Sequence, residues 1–143
     1  MVNRVEGEGG GFADRLNRSP SLRGRPEDAV DRYLDAIQAH DWEGFAATLA
    51  DDGFSRTGPY GDTYATKDEY VAFISQLMPT LPGYEMRVGR VTPAADGGSV
   101  TVELSETVVV DGAPLLTPEA LVFDLDPDGR IHRIQIFIQT LPR

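Results

Sequence analysis

The apolar residues of this chain change their spacing once, near Tyr84, and this change limits the possible folds more than any other feature of the sequence. Before Tyr84 they recur every three to four residues, which predicts helices, whereas after it they alternate, which predicts strands. Helices grouped ahead of strands are typical of an α+β domain. We therefore expect a curved, mostly antiparallel sheet wrapped around three N-terminal helices.

Three helices are predicted from their start signals. The first begins at Pro26, a residue suited to the first helical position, and runs to about His40. Asp41 then caps the second helix. The third opens with a capping box formed by Thr66 and Glu69. Between the second and third helices, residues 54–57 are expected to form a short extended piece.

Four strands are predicted after the helices, at residues 84–94, 99–110, 115–126 and 130–140. Asp111-Gly112 is a strong signal for a tight hairpin turn between the second and third of them. Long twisted antiparallel strands curl, so the helices should cover a concave face. The space between this face and the helices is the natural place for an apolar ligand pocket.

The composition excludes several classes of function. The formal net charge of −10 argues against nucleic acid and against anionic membranes as partners, because both carry negative charge. The chain has no cysteine, which excludes disulfides and thiolate metal sites. No apolar run approaches the roughly 18 residues that a membrane span needs. The N-terminus has no apolar core of the secretory type, so a cytoplasmic location is expected.

Residues 1–25 are expected to form a flexible tail, and residues 26–143 a single domain. Glycine, proline and serine punctuate the tail, and few apolar side chains could anchor it. The tail carries five arginines against three acidic residues, so its charge is opposite to that of the domain. A basic arm that finds a partner is one interpretation, and a poorly ordered segment is the simpler one.

Strand alternation places Glu106 on the apolar inner face of the predicted sheet, because Leu104 and Val108 share its parity. A carboxylate in such surroundings loses its hydration and is a candidate general base or acid. Two structural alternatives stay open. A bulge after Leu104 could turn Glu106 into water, or an inward Glu106 could simply bind a backbone amide or an arginine such as Arg56 or Arg90.

Tyr33 lies on the apolar stripe of the first helix, where its hydroxyl could donate a hydrogen bond to a ligand oxygen. The alternative is an ordinary core aromatic residue. Further apolar and aromatic side chains are expected to form the pocket wall: Trp42, Phe54, Tyr60, Leu104, Phe123 and Ile136. The two histidines lie far apart, and no ligand spacing supports a metal site, so neither a metal ion nor a cofactor is expected.

The last strand has two faces of different character. Ile134 and Ile136 are expected to point inward, with His132 on the same parity near the strand's start. Phe137 points the other way and stands between two glutamines. Because this outer face is mixed rather than fully charged, we expect it to suit a homodimer contact through the sheet.

Four segments together resemble the nuclear transport factor 2-like superfamily: RYLDAIQAHDWEGF at 32–45, LADD at 49–52, GPYG at 58–61 and DGRI at 128–131. This superfamily includes ketosteroid isomerases, limonene-epoxide hydrolases and SnoaL-type polyketide cyclases. The resemblance covers about residues 26–140. It implies a cone of three helices on a curved sheet, often dimeric through the sheet, and it does not select one reaction because the fold hosts many.

The resemblance to ketosteroid isomerases implies that Tyr33 corresponds to their catalytic tyrosine. Their catalytic aspartate falls on Gly58, or on Thr57 with another gap, and neither residue can abstract a proton. Their second, protonated aspartate falls on Leu121. The isomerase machinery is therefore represented by one residue of three.

The other two patterns are also incomplete. Against the limonene-epoxide hydrolases, Glu106 stands near the first catalytic aspartate, but Leu104 replaces the bridging arginine and Ile136 replaces the second aspartate. The histidine and aspartate that SnoaL-type cyclases place in the C-terminal strand region are not reproduced around Ile134.

Three functions follow from these observations. The first is binding of a small apolar molecule in the cone pocket without an intact known catalytic set. The second is a cofactor-independent isomerase, cyclase or hydrolase with Glu106 as base and Tyr33 as hydrogen-bond donor. The third is a protein-interaction module that uses the sheet face and the tail. The sequence leaves the ligand and the reaction open.

Overall fold

Three helices form the N-terminal half of the domain in the computed structural model, which describes residues 24–139. They span Glu27–Ala39 (α1), Trp42–Ala47 (α2) and Lys67–Leu77 (α3), and a single 3-10 turn, Met78–Thr80, follows. The Asp41 side chain accepts a hydrogen bond from the Gly44 amide, and Thr66 accepts one from the Glu69 amide. The predicted starts of α2 and α3 are thereby confirmed.

Six strands form one curved sheet over these helices: β1 Ser55–Thr57, β2 Thr63–Tyr64, β3 Glu85–Pro93, β4 Ser99–Val110, β5 Ala113–Leu125 and β6 Ile131–Ile138. Their order is β2-β1-β6-β5-β4-β3. All neighbours are antiparallel except β1 and β6. The α+β class and the mostly antiparallel sheet are confirmed, whereas the predicted count of four strands is wrong because β1 and β2 add to it.

The hairpin of β4 and β5 keeps one register from Ser99 opposite Asp124 to Val110 opposite Ala113. Its two turn residues, Asp111 and Gly112, have φ angles of 52° and 79°, which is the conformation of a tight hairpin turn. No bulge interrupts β4 after Leu104. The alternative in which Glu106 turns outward is therefore wrong.

Bulges interrupt the pairing of β3 with β4 and the pairing of β5 with β6. On β6, Asp124 pairs with Arg133 and Leu125 with Ile131, so His132 has no partner across the ladder. The extra residue reverses the parity at the start of the strand. Ile131 is consequently fully buried while His132 is only half-buried, which corrects the expectation that His132 lies on the inner face.

The core fills the space between the helices and the concave face of the sheet. Its largest fully buried side chains come from both layers and include Val30, Tyr33, Phe45, Tyr70, Val100, Val102, Phe123, Ile131 and Ile134. No helix within residues 24–139 is long and apolar enough to cross a membrane. The predicted tail, residues 1–25, lies almost wholly outside the described residues and stays a prediction.

Candidate active site

A cavity of about 280 Å³ opens between the inner face of the sheet and the helices. This volume is just below the range of about 300–1,000 Å³ typical of ligand pockets. Most of its wall is aliphatic and comes from α1, α3, the 3-10 turn and strands β3 to β6. Its polar lining is confined to a few side chains: Tyr33, Arg56, Tyr60, Tyr70, Tyr84, Glu106, Thr117 and Glu119.

Two carboxyl groups meet in this cavity. Glu106 is opposite Thr117 in the β4–β5 ladder, and Glu119 is opposite Leu104, so the two glutamates are diagonal neighbours on the inner face. Their side chains share a hydrogen bond. The Tyr84 hydroxyl donates a second hydrogen bond to Glu106 Oε2. Glu106 is thus held from two sides.

The proton of this pair lies on Glu119. Loss of hydration on burial, together with the hydrogen bond to Glu106 and its charge, raises the pKa of Glu119 from 4.5 to about 9, although the charge of Arg56 acts in the opposite direction. At neutral pH Glu119 is therefore a carboxylic acid hydrogen-bonded to Glu106.

Tyr33 of α1 and Tyr70 of α3 bring a second polar pair to the cavity. Their hydroxyl oxygens lie 2.5 Å apart, and either can be the donor. Burial raises the pKa of both hydroxyls above their ordinary value, so both keep their protons at neutral pH. Because one hydroxyl hydrogen serves the mutual bond, the pair has one more hydrogen to offer to a bound molecule.

Arg56 on β1 is the cation of the cavity wall. It exposes only 7% of its surface, and its guanidinium carbon lies 5.3 Å from the Tyr70 ring centroid. Its Nη1 donates to Asp62 Oδ2 at 2.8 Å. Its Nε has no hydrogen-bond acceptor among residues 24–139. Neither alternative partner proposed for Glu106 binds it, since Arg56 pairs with Asp62 and Arg90 pairs with Glu103.

Gly58 stands directly beside the ion pair of Arg56 and Asp62. Its amide donates to the Asp62 carbonyl oxygen at 2.8 Å. A Cβ atom at this position would lie 2.5 Å from Asp62 Oδ1 and 2.7 Å from Arg56 Nη1. The absence of a side chain at position 58 therefore makes room for the ion pair.

Five of the eight side chains that the sequence predicts for the site line the cavity. They are Tyr33, Tyr60, Leu104, Glu106 and Ile136. Tyr60 is at the solvent end, with 84% of its surface exposed. Tyr33 and Glu106, the two residues of the catalytic hypothesis, face the same space.

The other three predicted side chains are not among the residues that line the cavity. They are Trp42, Phe54 and Phe123. The Phe123 ring packs edge-on against Tyr33 at 5.1 Å, and the Phe54 ring stacks on Tyr70 at 5.8 Å. The Phe54 and Phe123 rings pack against the two tyrosines that line the cavity and belong to the hydrophobic core.

Sequence reasoning missed Glu119, Tyr70, Tyr84 and Arg56. A signal for Glu119 was present, because it shares its parity with the inward-facing Leu121 and lies only two residues before it. The family pattern had assigned the protonated carboxyl to Leu121 itself. No local pattern marks Tyr70, Tyr84 or Arg56, since their contacts join elements far apart in the chain. Within residues 24–139, no group of three or more acidic or histidine side chains is arranged to hold a metal ion.

The chain was compared with protein families and with known proteins. The model of the SnoaL-like domain family matches residues 30–134. None of the curated proteins compared with the chain matches it significantly. Many solved structures are similar to it.

An LEH-like epoxide hydrolase from Mycobacterium tuberculosis is 21% identical, with 86% of this chain and 85% of that chain covered and a TM-score of 0.65. A second M. tuberculosis protein, solved with estradiol-17β-hemisuccinate, is 19% identical over 82% of this chain and 96% of that one, with a TM-score of 0.67. An NTF2-like protein from Cytophaga hutchinsonii is 12% identical over 80% and 89%, with a TM-score of 0.64. At these identities the similarity shows a shared fold.

Proposed function

This chain belongs to the family of SnoaL-like domains, which confirms the predicted resemblance, and we propose that it is an acid–base enzyme that opens the epoxide ring of a small, largely apolar molecule. The observation that carries the proposal is the hydrogen-bonded pair of Glu106 and Glu119 inside an apolar cavity. Desolvated carboxyl pairs of unequal protonation are typical of acid–base catalysis. Binding of a small apolar molecule in the cavity is part of this function.

In the proposed reaction Glu106 is the base and Glu119 the acid. Glu106 takes a proton from a water molecule or from a hydroxyl of the substrate, and that oxygen attacks an epoxide carbon. The carbon–oxygen bond of the ring breaks, and Glu119 gives its proton to the oxygen that is released. The products are a diol if water attacks, or a cyclic ether with a hydroxyl group if the substrate's own hydroxyl attacks.

Direct contact between the two carboxyl groups favours ring opening over isomerisation. After ring opening, Glu106 carries a proton and Glu119 lacks one. Their mutual hydrogen bond gives the proton a path back to Glu119, which restores the starting state. An isomerase returns its proton to the substrate from the base that removed it, so it does not need this contact.

Tyr33 has a supporting part in the proposal. The hydroxyl pair of Tyr33 and Tyr70 can donate one hydrogen to an oxygen of the bound molecule. This retains the predicted donor role of Tyr33 but assigns it to the pair, because the two hydroxyls are too close to act separately.

A homodimer through the outer face of the sheet is a separate part of the proposal. Phe137 and Leu116 expose 54% and 52% of their surfaces, and both lie on the face opposite the cavity. Exposed apolar side chains on a broad sheet face are typical of association surfaces. The cavity itself does not depend on this contact.

The enzymatic proposal can be tested with cyclohexene oxide and styrene oxide in ¹⁸O-labelled water, with diol formation followed by mass spectrometry. Wild-type protein should form labelled diol above the buffer rate. Glu106→Gln and Glu119→Gln should each lower the rate by about 10²-fold or more, the usual contribution of a positioned acid or base.

Glu103→Gln is the matched control, because Glu103 is on the same strand as Glu106 but is exposed on the other face. It should retain wild-type activity. Equal loss in all three variants, or binding of the epoxides without any turnover, would contradict the enzymatic proposal. Binding without turnover would leave a ligand-binding protein as the function.

A further inference from the structure

We infer that the Arg56 end of the cavity binds a carboxylate, so that the ligands of this protein are small apolar acids, and the substrates are epoxides of such acids. The inference rests on the proposed function for the reacting end of the ligand and adds the chemistry of its other end. It starts from a buried cation whose donors are only partly used.

The guanidinium of Arg56 is more than nine-tenths buried and lines the cavity. Its carboxylate partner, Asp62, contacts Nη1 alone and exposes 43% of its side chain to solvent. Such an exposed partner offsets little of the cost of burying a charge. The Nε–H, which has no acceptor among the described residues, adds to that cost. A second anion supplied by a ligand would complete the environment of Arg56.

Three side chains converge on the place where this anion would bind. The guanidinium of Arg56 lies within hydrogen-bonding range of the Tyr70 hydroxyl, and that hydroxyl is 2.5 Å from the hydroxyl of Tyr33. A carboxylate has two oxygens, one for the guanidinium and one for the spare hydroxyl hydrogen of the tyrosine pair. A neutral alcohol could use only one of these partners and would not compensate the charge.

The strand register separates this end from the two glutamates. Arg56 is aligned with Ile134 on β6, which pairs with Phe123 on β5, four residues from Glu119. Two strand spacings and four residues amount to roughly 16 Å between the Cα atoms of Arg56 and Glu119. The charge of Glu106 still reaches the two tyrosine hydroxyls, so the adjacent guanidinium of Arg56 has to compensate it at the ligand carboxylate. The apolar body of the ligand then extends toward the carboxyl pair.

The test is isothermal titration calorimetry of the full chain at pH 7.5 with three probes of nearly equal size: geranate, methyl geranate and geraniol. Geranate should bind at least tenfold more tightly than geraniol and methyl geranate. Equal affinities for the three probes would overturn the inference. Methyl geranate binding as tightly as geranate would also overturn it, because a carbonyl oxygen would then be sufficient.

Variants test whether Arg56 is the cause of the preference for geranate over the two neutral probes. Arg56→Gln should abolish the preference for geranate, whereas Arg90→Gln removes an exposed arginine on the outer face and should leave it unchanged. Asp62→Asn removes a competing anion at a partly exposed position, so geranate should bind several-fold more tightly. If Arg56→Gln does not fold, as judged by circular dichroism, Asp62→Asn decides the question, and an unchanged preference there would overturn the inference.

The outcomes for the two proposals are separate. A preference for geranate without any epoxide turnover would sustain this inference and contradict the enzymatic proposal. Turnover of neutral epoxides with no preference for geranate would sustain the enzymatic proposal and contradict this inference.

Discussion

Glu106 and Glu119 lie on adjacent antiparallel strands, one diagonal step apart on the inner face, and share a hydrogen bond inside an apolar cavity. Like charges at such positions would destabilise the hairpin. The pair is compatible with the fold because one member keeps its proton. The protonation of Glu119 therefore links the stability of the sheet to pH.

The free energy of unfolding should fall as the pH rises from about 4.5 to about 9. In this window the unfolded chain has lost the proton of Glu119 while the folded chain keeps it, because the pKa of Glu119 is raised from 4.5 to about 9. Stability decreases with pH wherever the folded state binds more protons. Glu119→Gln should remove this part of the slope and be on the order of 1–2 kcal/mol more stable than wild type at pH 8, a value reduced for the partial solvent contact of the carboxyl.

Urea unfolding at pH 4, 6 and 8 measures this effect. The two proteins should have similar stability at pH 4 and diverge above it. Parallel curves for wild type and Glu119→Gln across the whole range would show that Glu119 does not retain its proton.

Tyr84→Phe should lower the rate of epoxide opening by on the order of tenfold, because it removes a hydrogen bond that orients Glu106, and such a bond contributes about 1 kcal/mol or more. Steady-state kinetics at saturating epoxide measures the loss, and thermal unfolding checks that the variant is folded. A wild-type rate in a folded Tyr84→Phe variant would contradict a positioning role for Tyr84.

Phe123→Ala should cost about 3–5 kcal/mol of stability, since the Phe123 side chain is fully buried behind the cavity. Tyr60→Ala should change stability by less than about 0.5 kcal/mol, because Tyr60 is 84% exposed, yet it should weaken ligand binding at the cavity mouth. Thermal unfolding and calorimetry measure the two effects. Loss of ligand binding without loss of stability in Phe123→Ala would show that Phe123 lines the pocket.

Phe137→Glu should convert a dimer of wild-type protein into a monomer, because Phe137 exposes 54% of its surface on the outer face of the sheet. Light scattering coupled to size-exclusion chromatography reports the mass of each species. The melting temperature of the monomer should stay close to that of Glu103→Gln, a neighbouring outer-face variant. A wild-type protein that elutes as a monomer at all accessible concentrations would contradict the dimer.

The fold could be predicted because its signals are local. The change of apolar spacing at Tyr84, the caps at Asp41 and Thr66 and the Asp111-Gly112 turn each specify a nearby element, and all four are present in the structure. Strand β1 could not be predicted as part of the sheet. Its three residues are too few for a periodic pattern, and its partner β6 lies more than seventy residues later.

The candidate site was predictable only where side-chain parity decides direction. The inward direction of Glu106 follows from the unbroken register of β4, and the same rule applied to β5 would have found Glu119. The parity rule failed at His132, because a bulge inserts one residue there and nothing in the local sequence specifies that bulge. The contacts of Tyr84 with Glu106 and of Tyr33 with Tyr70 depend on how distant elements pack, which no pattern within one element encodes.

The space left by Gly58 restricts which enzymes this scaffold can become. The resemblance to ketosteroid isomerases gives position 58, or position 57 with another gap, to their proton-abstracting aspartate. Here a new carboxylate would have to occupy the volume where Asp62 meets Arg56. An aspartate at position 58 would therefore have to displace the ends of the Asp62 and Arg56 side chains, so this scaffold could accept such a base only by rearranging the ion pair at this end of the cavity.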